Sequence, residues 1–135
     1  MDSQNRLTPD LPLFQSESPV LLARHKASGE WPAWVQQLEV PLLDGKLDLV
    51  SLFMLLAKQN VNSVLVEAGP RLCGALLEKG LVDELVLYQA PKLMGDEGRG
   101  LFHLPGLTRL FQAPKLNLKD VRMLGQDIRI TAKIA

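Results

Sequence analysis

The sequence predicts one α/β domain in which a parallel unit is followed by antiparallel strands. Two segments with apolar residues at helical spacing, 47–60 and 70–80, alternate with short β-branched segments. Two C-terminal segments, 115–125 and 126–134, alternate apolar and polar residues, which is typical of an antiparallel hairpin. A chain of 135 residues is long enough for one domain with a substantial core.

Both helices carry recognisable start or stop signals. In the first, Asp48 is a candidate N-cap, and the apolar positions cover more than one stripe, so we expect this helix to be largely buried. In the second, Pro70 fits the first helical position and Gly80 fits the C-terminal stop. The apolar positions of the first helix are Leu49, Leu52, Phe53, Leu56 and Ala57.

Four short apolar or β-branched segments outside the hairpin are predicted as strands, namely residues 19–24, 36–40, 61–69 and 82–90. The LDGK segment is predicted as a turn, and the hairpin is predicted to turn at Gly125-Gln126-Asp127. The order of helix, strand, helix and strand places the parallel unit in the middle of the chain, with the antiparallel strands at one edge of the sheet.

The composition argues against several classes of function. The 15 basic and 15 acidic residues cancel, so we expect no nucleic-acid partner and no attraction to an acidic membrane. The chain has one cysteine, and neither it nor the two histidines have metal-ligand spacing, so we expect no metal. No run approaches the ~18 apolar residues of a membrane span, and no signal segment is seen. We therefore expect a soluble, cytoplasmic protein.

The stretch VLVEAGPRLCG places an acidic residue and a Gly-Pro turn between a predicted strand and a predicted helix. Ligands of open α/β sheets bind outside the carboxyl ends of strands, where Glu67 is predicted to lie. The amides of Arg71, Leu72 and Cys73 are predicted to face an anion at the helix N-terminus. Gly69 would let a ligand approach the backbone. The unit could therefore hold a phosphate on the helix and a donor-rich heterocycle on the carboxylate.

The same stretch also has a purely structural interpretation. Strand-Gly-helix turns are common, and this one lacks the three glycines of a dinucleotide fingerprint. Glu67 could equally cap the helix or face water. The spacing alone leaves both interpretations open.

Other candidate residues have ordinary structural explanations. Cys73 could be a reactive thiol in the first helical turn, or a small packed residue. Asp83 and Glu84 are adjacent on a predicted strand, so their side chains point to opposite faces and cannot share an acid-base site. His103 and Lys92 could contact a ligand, but a loop histidine bonded to backbone or water and a solvated lysine explain them as well.

The stretch VNSVLVEAGPRLCGALLEKGLVDELVLYQAPKLMGDEGRGL resembles the reductase domain of the bifunctional riboflavin biosynthesis deaminase-reductase. Several separated pieces match in order, namely Val-Glu-Ala-Gly-Pro, Leu-Val-Asp-Glu-Leu and Ala-Pro-Lys-Leu. The flanking segments DSQNRLTP, EWP and LDLVSLFMLLAKQ resemble the same family. The similarity covers essentially all of the chain.

The resemblance implies a dihydrofolate-reductase-like mixed sheet flanked by helices, with a C-terminal antiparallel hairpin. It implies NADPH-dependent reduction of the ribosyl group of 5-amino-6-(5-phosphoribosylamino)uracil to ribityl. Glu67 corresponds to a substrate-binding glutamate, and Ser3 corresponds to a cofactor contact. The residues that correspond to the cofactor-binding turn and first helical turn are Gly69, Pro70, Arg71, Leu72, Cys73, Gly74 and Ala75. No residue corresponds to an obvious acid-base catalyst, so the catalytic residues stay unknown.

The resemblance also sets expectations for domain organisation. Residues 1–135 correspond to the C-terminal portion of the reductase domain, and we expect the N-terminal part of that domain to be absent. The deaminase domain is expected to be absent too, because its zinc motif of His-x-Glu and Pro-Cys-x-x-Cys does not occur. The family implies a homodimer, to which the C-terminal strands could contribute. Two alternatives are a non-catalytic dimerisation or structural fragment, and a dihydrofolate-type reductase with another pterin or pyrimidine substrate.

Overall fold

The computed structural model describes residues 1–135, which divide into two compact units, Met1–Val64 and Leu65–Ala135. The elements of the first unit are a 3-10 helix (Pro12–Phe14), β1 (Val20–Arg24), β2 (Val35–Glu39), β3 (Leu42–Leu43), β4 (Lys46–Leu47) and α1 (Leu49–Lys58). The elements of the second unit are α2 (Pro70–Glu78), β5 (Glu84–Gln89), a 3-10 helix (Leu110–Gln112), β6 (Leu116–Leu124) and β7 (Asp127–Ile134). Neither α-helix has the length and apolar character needed to cross a membrane.

Strands β1 and β2 of the first unit form a parallel pair, with Val20 opposite Val35. Phe14, Leu22 and Val35 form a buried cluster in this unit. A parallel pair was predicted, but within residues 47–90, and that placement is wrong. Strand β5 instead pairs antiparallel with β7, so the parallel unit lies earlier in the chain than the helix-strand alternation indicated.

Helix α1 confirms the predicted N-cap but not the predicted burial. The Asp48 carboxylate accepts a hydrogen bond from the Ser51 amide at 3.1 Å, which satisfies one of the unpaired donors of the first turn. Leu49 and Leu52 are buried, whereas Met54 is 62% exposed. One stripe of this helix is therefore buried, and the rest of the wide apolar surface that the sequence indicated stays at least partly exposed.

Short turns are where the local sequence predicts the structure best. The LDGK segment forms a two-residue turn between β3 and β4, in which Asp44 and Gly45 have φ values of 51° and 73°. Positive φ at both positions is what a type I′ turn requires. The C-terminal hairpin turns through Gly125 and Gln126, and Gly125 has a φ of 62°. Both turns were predicted at these places, and both are confirmed.

The second unit contains an antiparallel sheet in the order β5-β7-β6, which confirms the C-terminal hairpin. The pairing of β6 with β7 shifts between Leu118 and Asp120, as in a β-bulge. The extra residue keeps four apolar residues of β6 on the face that also carries Ile128, Ile130, Ala132 and Ile134. These four residues, Leu116, Leu118, Val121 and Met123, are 45–62% exposed.

The segment 61–69, predicted as a strand, has no regular secondary structure, so this prediction is wrong. Its β-branched residues favour a strand, but a strand also needs a neighbouring backbone to receive its hydrogen bonds. No strand of the chain pairs with it. Val64, Leu65 and Val66 are 44%, 83% and 38% exposed, which is unusual for three consecutive apolar residues.

Candidate functional site

Glu67 lies in the irregular segment directly before α2 and is exposed to solvent. The prediction that it ends a buried strand is wrong, because the segment is neither paired nor buried. Its carboxylate makes no hydrogen bond or ion pair within the chain. An ionised carboxylate only accepts hydrogen bonds, so Glu67 is free to accept them from a ligand that carries N–H groups.

The N-terminus of α2 provides two unpaired amides. Gly69 is the N-cap, with extended φ and ψ of −75° and 169°, and Pro70 is the first helical residue. The Cys73 amide donates to the Gly69 carbonyl at 3.2 Å. The prediction that Cys73 faces an anion is therefore wrong, because its amide belongs to the first helical hydrogen bond. The amides of Arg71 and Leu72 make no such bond and remain available.

The thiol of Cys73 has a structural role. Its Sγ donates to the Ala68 carbonyl at 3.4 Å, a weak bond that links the first helical turn to the segment before it. This contact supports the structural interpretation of Cys73 rather than that of a reactive thiol.

Gly74 is buried on α2 because the backbone of another segment passes over it. A Cβ atom at this position would lie 2.1 Å from the His103 carbonyl oxygen and 2.9 Å from the His103 carbonyl carbon. The His103 amide donates to the Pro70 carbonyl at 2.9 Å. The backbone at His103 therefore lies against the first turns of α2. This packing explains Gly74 without a cofactor, and a glycine inside a helical pattern was the signal that could have revealed it.

Ser3 belongs to the first unit, where it is exposed in a turn and makes no hydrogen bond. The residue before it, Asp2, is buried and forms an ion pair with Arg24 at 2.9 Å. Burial alone would raise the pKa of Asp2. The hydrogen bonds from the Leu7 and Arg6 amides and from Arg24 outweigh this effect, so the pKa is lowered to about 2. The family resemblance indicated Ser3, whereas no residue spacing indicated the buried ion pair beside it.

The remaining candidates do not form a site. Asp83 and Glu84 are both exposed, and Lys92 and the His103 side chain are exposed without a polar contact. No group of three or more His, Cys, Asp or Glu residues is placed to hold a metal ion. What the second unit offers as a candidate site is therefore Glu67 and, shortly after it along the chain, the start of α2 at Pro70.

Comparison with known proteins places the chain in a family. Residues 1–130 match the family model described as the RibD C-terminal domain. The riboflavin biosynthesis protein RibD of Escherichia coli K12 is 50% identical over 129 residues, which are 95% of this chain and 35% of that protein. A protein of Buchnera aphidicola subsp. Acyrthosiphon pisum named 5-amino-6-(5-phosphoribosylamino)uracil reductase is 30% identical over 131 residues, 96% of this chain and 63% of that protein.

Solved structures agree with the sequence relatives. Acinetobacter baumannii RibD superposes with a TM-score of 0.80 at 29% identity, over 98% of this chain and 36% of that chain. Such structures have a dihydrofolate-reductase-like fold, which confirms the predicted fold class. The chain spans about a third of the length of the RibD relatives that it matches, with 35% of the Escherichia coli protein covered.

Proposed function

Since the chain belongs to the RibD C-terminal domain family, we propose that it contributes to NADPH-dependent reduction of 5-amino-6-(5-phosphoribosylamino)uracil, from the ribosyl to the ribityl form, in riboflavin biosynthesis. Residues 1–135 then correspond to the C-terminal portion of a reductase domain. The observation that carries the proposal is local. A carboxylate without a partner, Glu67, is followed directly by a helix start with two unpaired amides.

We propose that Glu67 accepts hydrogen bonds from the amino and ring N–H groups of the aminouracil. A carboxylate has two oxygens and about four lone-pair directions, so it can receive neighbouring donors of one heterocycle. Hydrogen bonds to a charged acceptor are about twice as strong as neutral ones. The position of Glu67 before α2 would thereby orient the pyrimidine relative to the cofactor side of the site.

We propose that the start of α2 binds a phosphate of the cofactor through the Arg71 and Leu72 amides. The residues fit such a group, because a Cβ at Gly69 would meet no atom within 4 Å and the Arg71 side chain is exposed. The helix dipole adds to this attraction, by roughly 0.3–1 kcal/mol at an exposed site. Bound NADPH would supply the hydride, while the protein binds and orients the reactants. The predicted cofactor contacts of Ser3, Pro70, Gly74 and Ala75 stay part of this proposal.

We also propose that the protein is a cytoplasmic homodimer. The exposed apolar residues of β6 support the dimer, because they form a contiguous patch on one sheet face. The biosynthetic role of the named relatives supports the cytoplasmic location. The same patch favours a second candidate function, in which the chain serves mainly as a dimerisation part of the enzyme. Size-exclusion chromatography with and without NADPH separates the two candidates, since only the first requires cofactor binding.

Calorimetric titration tests the division of roles. We would titrate NADPH, and then the pyrimidine substrate, into this chain and into Glu67→Gln, with Glu78→Gln as the control. Glu78 is an exposed glutamate at the C-terminal end of α2. The expected result is that Glu67→Gln weakens substrate binding about tenfold or more and leaves NADPH binding unchanged, since a hydrogen bond to a charged group contributes about 1.5–3 kcal/mol.

Turnover is tested by replacing the matching 129 residues of the Escherichia coli relative with this chain. The hybrid should oxidise NADPH only when the pyrimidine substrate is present, and a dihydropterin in its place should give no turnover. If neither the chain nor the hybrid binds NADPH, the reductase proposal is refuted. If the dihydropterin is the better substrate, the proposal fails in its substrate and the dihydrofolate-type alternative replaces it.

A further inference from the structure

Asp2 closes a loop around Ser3. Its Oδ1 accepts a hydrogen bond from the Arg6 amide at 2.9 Å, and its Oδ2 accepts one from the Leu7 amide at 3.0 Å. A single side chain thus joins both ends of the segment that contains Ser3. The Asp2 backbone is held as well, since its amide donates to the Ala23 carbonyl at 2.7 Å. Ser3 is therefore an exposed residue, without polar partners, on an anchored loop.

Arg24 connects this loop to the interior of the first unit. It is 1% exposed, and one terminal nitrogen donates to Asp2 Oδ2 at 2.9 Å. The other donates to the Ser28 carbonyl at 3.0 Å and to Gln37 Oε1 at 3.0 Å. The guanidinium also lies 5.1 Å from the ring centroid of Trp31. A buried charge with this many partners is held in one geometry, so Asp2 is fixed from its buried side.

Asn5 adds a second tether at the exposed side of the loop, through Ser28, whose hydroxyl also accepts from Arg24 at 3.2 Å. Its Nδ2 donates to Ser28 Oγ at 3.1 Å, and its φ is 52°. Asparagine tolerates this left-handed conformation better than most residues. The loop is thus held from two sides, by a buried ion pair and by an exposed amide, while Ser3 itself is left free.

We propose that Asp2, Arg24 and Asn5 are positioning residues that hold Ser3 in the conformation that contacts the cofactor. The inference rests on the proposed function, because it takes Ser3 as a cofactor contact. A loop that is ordered before binding costs no conformational entropy on binding. A loose loop weakens binding, because the apparent Kd is the intrinsic Kd divided by the fraction of molecules whose loop is in the binding conformation. None of the three residues needs to touch the cofactor for this effect.

The test combines NADPH titration with amide exchange on the ¹⁵N-labelled chain. Asn5→Gly keeps the positive φ accessible, removes only the exposed tether and leaves the buried charge paired. We expect it to raise the Kd for NADPH by roughly threefold to tenfold, as a fall of the competent fraction by that factor requires. Exchange at the Arg6 and Leu7 amides should speed up, and the melting temperature should hardly change.

Two further variants complement Asn5→Gly. Asp2→Asn/Arg24→Gln removes both charges together, and Ser28→Ala removes the acceptor of the Asn5 tether. Ser28→Ala also removes a 3.2 Å hydrogen bond from Arg24 to Ser28 Oγ. The effect of Asn5→Gly on NADPH affinity should therefore disappear in the Ser28→Ala background, where the Asn5 contact is already lost. Asp120→Asn, which removes an ion-pair acceptor in the second unit, should leave the Kd unchanged.

Each outcome separates this inference from the proposed function. If the unchanged chain binds no NADPH, the proposed function fails and the inference fails with it. If the unchanged chain binds NADPH while Asn5→Gly speeds amide exchange and leaves the Kd unaltered, the positioning role alone is overturned. If Asn5→Gly raises the Kd only in proportion to a loss of folded protein, the role is structural and the inference is overturned.

Discussion

Gly74→Ala is expected to destabilise the chain, although alanine is the better helix former. The added Cβ would lie 2.1 Å from the His103 carbonyl oxygen, whereas ordinary contact begins at 3.4 Å. The obstructing atoms are backbone, so no side chain can rotate away. The Cβ and the His103 backbone must move about 1.3 Å further apart to reach ordinary contact. A shift of that size would break the hydrogen bond from the His103 amide to the Pro70 carbonyl.

The magnitude follows from three terms. Overpacking costs about 1–3 kcal/mol, and the lost hydrogen bond adds about 0.5–1.5 kcal/mol. Alanine returns about 1 kcal/mol through its helix propensity. The free energy of unfolding should therefore fall by roughly 0.5–3.5 kcal/mol.

Urea denaturation followed by circular dichroism measures this change. The matched control is Gly69→Ala, because a Cβ at that N-cap position would meet no atom within 4 Å. The control tests whether any added methyl group near the start of α2 has the same effect. A Gly74→Ala chain as stable as the original, or more stable, would refute the packing argument, because helix propensity alone predicts a gain in stability.

Three other perturbations follow from the ion pairs and the helix cap. The folded pKa of Asp2 is about 2, below the ordinary 3.8, so its stabilisation is complete above the ordinary value and is lost as the pH falls towards 2. Urea midpoints between pH 2 and 6 should show a difference between the original chain and Asp2→Asn that shrinks on acidification, and a constant difference would contradict it. Asp48→Ala should lower the free energy of unfolding by about 1 kcal/mol through loss of the N-cap, measured by thermal denaturation; an unchanged melting temperature would argue against the cap. Asp120→Asn leaves Arg122 opposite Arg129 without their shared carboxylate, so the variant should gain stability on addition of salt more than the original chain does.

Local sequence signals predicted the elements that depend on local interactions. Helix α2 was expected at residues 70–80 and covers Pro70–Glu78, because proline and glycine mark its ends. Strands β1, β2 and β5 lie within about two residues of their predicted bounds. The two tight turns were predicted at LDGK and at Gly125-Gln126-Asp127, and in the structure each contains a glycine with positive φ.

The failures concern interactions between distant parts of the chain. Residues 61–69 have the composition of a strand, but composition cannot supply a pairing partner. The Asp2–Arg24 pair joins residues 22 positions apart, so no sequence spacing reveals it. The ligand role of Glu67 stays a prediction. Its expected place at the end of a buried strand is wrong, while the alternative that it faces water agrees with its exposure.

The unpaired segment around Val64-Leu65-Val66 has a practical consequence for work with the purified chain. Three exposed apolar residues, two of them β-branched, with unpaired backbone groups resemble the segments that nucleate intermolecular β-pairing and fibrils. Self-association through this segment would grow with protein concentration and with time, and it would bury the residues that lead into Glu67. Loss of ligand binding in an aged or concentrated sample would then reflect aggregation at this segment rather than the chemistry of the site.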